Sequence, residues 1–117
     1  VVNAIMQAAR SLAAQLSASE CCVAYHAAKA DISADPALML KLDAYKKRHI
    51  AYRLTVQNGE PASLDVEKEI GSLYGELMLE PRTRAFLESE RVLTEATADI
   101  CQMLADACGV EPYFPNL

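Results

Sequence analysis

Four cysteines and two histidines are the side chains of this 117-residue sequence best equipped for chemistry. Cys21 and Cys22 are adjacent, and Cys101 and Cys108 stand seven residues apart, a spacing that puts them on one side of a helix. As thiolates, Cys21, Cys22, Cys101 and Cys108 are candidate ligands for zinc or an iron-sulfur cluster. Such sites usually carry at least one tight Cys-x-x-Cys pair, which this sequence lacks, and small buried hydrophobes are the alternative reading. His49 lies between Tyr45 and Tyr52 in an apolar stripe, where a core or interface histidine is expected rather than a ligand or a base. His26 has no acid or histidine three or four residues further on. There is neither a Glu-x-x-His pair, as a di-iron bundle would need, nor a glycine-rich phosphate loop. No catalytic constellation remains, and the chain is expected not to be an enzyme.

The elements that position these residues are helices. Leu38, Leu42, Tyr45, His49, Tyr52 and Val56 follow steps of four and three, the spacing of one buried stripe. Asp35-Pro36 supplies an N-cap and a first-turn proline for this helix, and Asn58-Gly59-Glu60-Pro61 ends it. Upstream, Ile5, Ala9, Leu12 and Leu16 form one stripe and Cys21, Tyr25, Ala28 and Ile32 another, with Ser17 and Glu20 spaced as a capping box between them. Downstream, Ser63 caps a helix striped by Val66, Ile70, Leu73 and Leu77. Glu80-Pro81 starts a last helix carrying Phe86, Leu93, Ala96, Ile100, Met103 and Ala107, which ends at Gly109 and Pro112 before an irregular tail over 111–117. The short connection over 57–62 predicts an antiparallel hairpin. The expected architecture is all-α: an elongated antiparallel bundle of about five helices, one domain over residues 1–117.

Composition narrows the function. Hydrophobic residues make up 52% of the chain, but many are alanine, Trp is absent, and Phe86 and Phe114 are the only phenylalanines, which predicts a thin core of close helix contacts. A net charge of -5 argues against a general binder of nucleic acid or anionic membrane. Within that balance Lys41, Lys46, Lys47, Arg48 and Arg53 enrich one arm of the hairpin, and Asp65, Glu67, Glu69, Glu76 and Glu80 the other, so the arms should pair. Lys46, Lys47 and Arg53 are also candidate contacts for RNA or an acidic partner, set against a solvated face of weak ion pairs. No apolar run approaches the roughly 20 residues of a membrane span. Residues 1–16 lack the charged start and apolar run of a signal peptide, and four cysteines in a helical chain suit a reducing cytoplasm better than a disulfide framework.

The order of these features is more specific than any one of them. Ser19-Glu20 followed by Tyr25, the Asp35-Pro36 helix start, the long helix ending in Gln57-Asn58-Gly59, and the run from Glu80-Pro81-Arg82-Thr83-Arg84 through Phe86 to Leu93 together resemble the YlbF/YmcA family of small bacterial helical proteins, over nearly the whole chain. Glu80 stands where that family often has Asn before the proline. The resemblance implies a cytoplasmic regulator that binds proteins: itself, related helical proteins, and in some members a complex that directs an endoribonuclease in RNA processing. Members of the family are linked to competence, sporulation and biofilm formation, and nucleic acid would be reached only indirectly. Some members carry iron-sulfur clusters held by C-terminal cysteines, whereas this sequence has none after Cys108.

Overall fold

In the computed structural model, which describes residues 2–111, the chain is all-α. Its helices are α1 (Val2–Ser17), α2 (Glu20–Ser33), α3 (Pro36–Gln57), α4 (Leu64–Leu79) and α5 (Pro81–Cys108), and no strand occurs among the described residues. Phe114 and the tail beyond Glu111 lie outside the described residues.

The caps explain the boundaries. Asp35 Oδ1 accepts from the backbone N–H groups of Ala37 at 3.1 Å and Leu38 at 3.3 Å, satisfying two donors that the first turn of α3 leaves without a partner. At the other end Gly59 adopts φ +92°, and the Glu60 N–H returns to the Thr55 carbonyl at 3.1 Å. Glycine reaches that left-handed conformation without steric cost, so the helix stops where the sequence placed the stop. Gly109, at φ +71°, closes α5 in the same way. Ser63 Oγ caps α4 by accepting from the Val66 N–H. One expectation is corrected. Ser17 is the last residue of α1, and it is Ser19 whose hydroxyl accepts from the Cys22 N–H to start α2, because Ser19 immediately precedes the first helical residue.

The chain forms two compact units, with the division falling inside α2 and inside α5. One unit comprises α1, α2 through Ala27, and α5 from Leu87. Cys22 and Ala105 are buried in it, whereas α1 buries no residue. The stripe expected to be covered on α1 is open, with Ile5 64% and Leu12 40% exposed and Leu16 alone half-buried. On α5, Leu93, Ala96 and Ile100 of the expected stripe are half-buried, as are Thr97 and Cys101, and Ala105 is buried, whereas Met103 and Ala107 at the end of the stripe are exposed.

The other unit, residues 28–86, holds the α3–α4 hairpin and the better core. Ile32, Leu42, Leu77 and Phe86 are buried together with Thr83, which is fully inaccessible. The Thr83 hydroxyl donates to the Leu77 carbonyl, and the Glu80 carbonyl lies 3.2 Å away, so the first turn of α5 satisfies carbonyls at the end of α4. Arg82 ties the helix ends together from outside. Its guanidinium lies 3.2 Å from Asp35 and 3.0 Å from Glu80, and Glu80 also accepts from the Arg82 backbone N–H. Those hydrogen bonds from Arg82 hold the Glu80 carboxyl below its ordinary value of 4.5 and raise the Arg82 pKa further.

Two outcomes follow from this unit. Thr83→Val keeps the shape but leaves the Leu77 carbonyl without its donor, and chemical denaturation should show a loss of about 1–3 kcal/mol. For Glu80 the depressed pKa means that the unfolded chain takes up the proton first, so the contribution of this group is complete above pH 4.5 and fades as pH falls through the folded-state value. Glu80→Gln should therefore be less stable than the parent at pH 7, and urea titrations below pH 4.5 should show the gap narrowing.

Candidate functional site: an aromatic groove on the hairpin

The α3 stripe changes character along its length. Leu38 and Leu42 are buried, Tyr45, His49 and Tyr52 are half-buried, and Val56 is 39% exposed. The expectation of one stripe in core or interface thus divides into a covered first half and an open second half. In the covered half the hairpin unit supplies Ile32, Thr83 and Phe86 as buried neighbours in the same core; towards the turn the unit supplies only α4 opposite. What remains open is a groove of about 410 Å³.

Its walls are in register. Arg48 meets Glu69 at 3.0 Å, the Tyr52 hydroxyl meets Glu67 at 2.9 Å, and the Tyr45 and Tyr74 rings stand 5.7 Å apart. One residue number rises as its partner's falls, so α3 and α4 are antiparallel and the expected pairing of basic and acidic arms is realised at Arg48 and Glu69. That pair is about half exposed on both sides and contributes little to stability. Tyr52 is more constraining. Its hydroxyl donates to Glu67 and accepts from the Ser63 N–H at 3.0 Å, fastening the interhelical turn to α3. Desolvation raises the Tyr52 pKa, with the Glu67 hydrogen bond and charge acting in the same direction against the opposing bond from Ser63.

Tyr45 packs on both His49 and Tyr74, with centroids 5.7 Å away in each case, so the floor of the groove is aromatic. Gly71 forms part of the α4 wall, and a Cβ added there meets nothing within 4 Å; the same holds at Gly75, one turn later. Neither glycine has the positive φ that would require it. Reading the sequence by stripes missed Gly71 and Tyr74, yet a signal was present: two glycines inside a helical pattern, distant from either cap, where each costs the helix about 1 kcal/mol relative to alanine. Arg82 and Thr83 stood in the run that carries the family resemblance, but their bonds to Asp35, Glu80 and the Leu77 carbonyl were not read from it, since a helix-start arginine and threonine look unexceptional until the neighbouring helix end is placed beside them.

The other candidates are distributed differently. Lys46 holds its ammonium 5.0 Å from the centre of the Phe86 ring, Lys47 is exposed, and of the three basic candidates only Arg53 lines the groove. Among the cysteines, Cys22 is buried, Cys21 and Cys101 are half-buried, Cys108 is exposed, and all four are free thiols. The Cys21 thiol lies 3.2 Å from the Ser19 hydroxyl. Among the described residues no group of three or more His, Cys, Asp or Glu side chains is placed to hold a metal ion. Among the described residues, no helix is long and apolar enough to cross a membrane.

The fold and the groove together define a small all-helical protein whose prominent surface features are uncovered apolar helix faces. The chain belongs to the YlbF/YmcA family: the family model described as control of competence regulator ComK, YlbF/YmcA, matches residues 5–108. That match spans all of α3 and α4 and the capped start of α5, and it agrees with a regulatory role. No curated protein and no solved structure matches the chain.

The groove makes its own prediction. Gly71→Ala introduces a better helix former into open space, and thermal or urea unfolding should show a gain of up to about 1 kcal/mol.

Proposed function

We propose that this chain is a non-enzymatic cytoplasmic adaptor that regulates by docking other helical proteins, with the α3–α4 groove as a docking site. The observation that carries the reading is the uncovered half of the α3 stripe. Tyr45, His49, Tyr52 and Val56 continue the periodicity that buries Leu38 and Leu42, but within the hairpin unit no third helix covers them. Aromatic side chains in such a position offer large contact area at low cost in conformational entropy, and a helix laid in a groove is a recurring mode of recognition. The open stripe of α1 supports the same reading, since Val2, Ile5 and Met6 add a second exposed apolar face. Any influence on RNA processing would then be exerted through a bound protein, consistent with a basic candidate set of which one member is packed on Phe86.

The test compares tagged parent protein with Gly71→Leu, which fills the groove from a position with free space and should leave the helical circular dichroism unchanged. The parent should retain specific protein partners from its native cytoplasm and the filled variant should lose them. Identical partners on both proteins, or a catalytic turnover that persists through stringent purification, would overturn the reading.

A further inference from the structure

The helix whose apolar and polar residues are most sharply segregated, α1, is the one that buries nothing. At 3.6 residues per turn, Val2, Ile5, Met6, Ala9, Leu12 and Ala13 fall on one side of it, within about a third of its circumference. All six are exposed, Val2 at 70% and Ile5 at 64%. The opposite side carries Asn3, Gln7, Ser11 and Gln15, polar but uncharged. Arg10, the single charge of the helix, stands at the border, about one turn from Met6 and Ala13. No acid occurs before Glu20, although the chain has sixteen acidic residues and a net charge of -5.

That composition separates two kinds of occupant. Where α3 meets α4, polar bonds fix the register, Arg48 to Glu69 and Tyr52 to Glu67. Such groups let one protein surface reject the wrong alignment of another. With aliphatic carbon on one side, amides and hydroxyls on the other and one cation between them, α1 specifies no register. A fluid lipid surface asks for none. Its phosphates accept the border cation and repel carboxylates, and the acid-free stretch is the part of an otherwise acidic chain that can approach them. Sixteen residues span about 24 Å, too short to cross a bilayer. A helix lying in the plane of the surface instead buries one side and keeps the other wet.

We infer that α1 is an interfacial helix that lies in a lipid surface, with the side of Val2, Ile5, Met6 and Leu12 inserted and Arg10 at the headgroups. This goes beyond the docking role of the groove, which α1 does not line. With a single cation the attraction is mainly apolar, so gaps in headgroup packing govern it more than lipid charge. Highly curved vesicles of an unsaturated, uncharged phospholipid offer those gaps.

Flotation of the full chain with small sonicated vesicles of dioleoyl phosphatidylcholine tests this. The parent should float with them, and less with large extruded vesicles of the same lipid. Ile5→Asp puts a carboxylate in the middle of the inserted side and should weaken vesicle binding at least about tenfold. Gln7→Asp places the same charge on the opposite side and should leave binding unchanged. Both positions are exposed, so the helical circular dichroism of both variants should match the parent. Because the chain contains no Trp, Ile5→Trp is a single reporter. Its emission should be that of a water-exposed indole in buffer, then shift to the blue and become shielded from iodide once vesicles are added. No flotation of the parent, or equal loss in the two Asp variants, would overturn the inference. So would Ile5→Trp emission that is already blue and shielded without lipid, because protein would then cover the face.

Discussion

The Tyr52 hydroxyl fixes the register on which the functional surface depends. By donating to Glu67 and accepting from the Ser63 backbone it binds the last turns of one helix, the start of the next and the turn between them. A slide of α3 against α4 would break both bonds and separate Arg48 from Glu69 and Tyr45 from Tyr74. Hydrogen bonds depend steeply on distance and direction, whereas apolar contact tolerates slippage, so a polar latch specifies what the stripe alone leaves loose.

At the opposite end of the hairpin a second set of polar contacts performs the complementary task. Asp35, Glu80, Arg82 and Thr83 gather the start of α3, the end of α4 and the start of α5, and they satisfy backbone groups that two abrupt helix boundaries leave exposed. Here the core is well covered, with Ile32 and Leu77 almost inaccessible. The hairpin unit is therefore anchored at its base and open towards its turn. An amphipathic stripe in such a place is neither fully stabilising in isolation nor incidental, because apolar area withheld from the core remains to be gained on association. The same physics applies to α1, which presents a stripe and buries none of it.

The polar boundaries were legible because they are local. Asp35-Pro36, Asn58-Gly59 and Glu80-Pro81 act through their own backbone within a few residues, and the first two formed the expected caps while Glu80 joined the capping network of α5. The displaced cap at Ser19 shows the limit of spacing rules, since two serines competed for one role and only the chain path chose between them. The family resemblance was likewise legible in the order of these local features, and the match over residues 5–108 agrees with it.

By itself the sequence determined five helices, their ends from Asp35 onward, the all-α class and the complementary charge of the hairpin arms, because periodicity, caps and turn residues act over one or two helical turns. Tertiary structure alone decided which half of each stripe is covered. Leu42 and Val56 occupy equivalent positions in the same repeat, yet one is 3% exposed and the other 39%. Nothing in a helix records how far its neighbours extend, so the fate of Lys46 against Phe86, the unequal burial of the cysteines and the open groove beside Gly71 emerge only when the helices are set side by side.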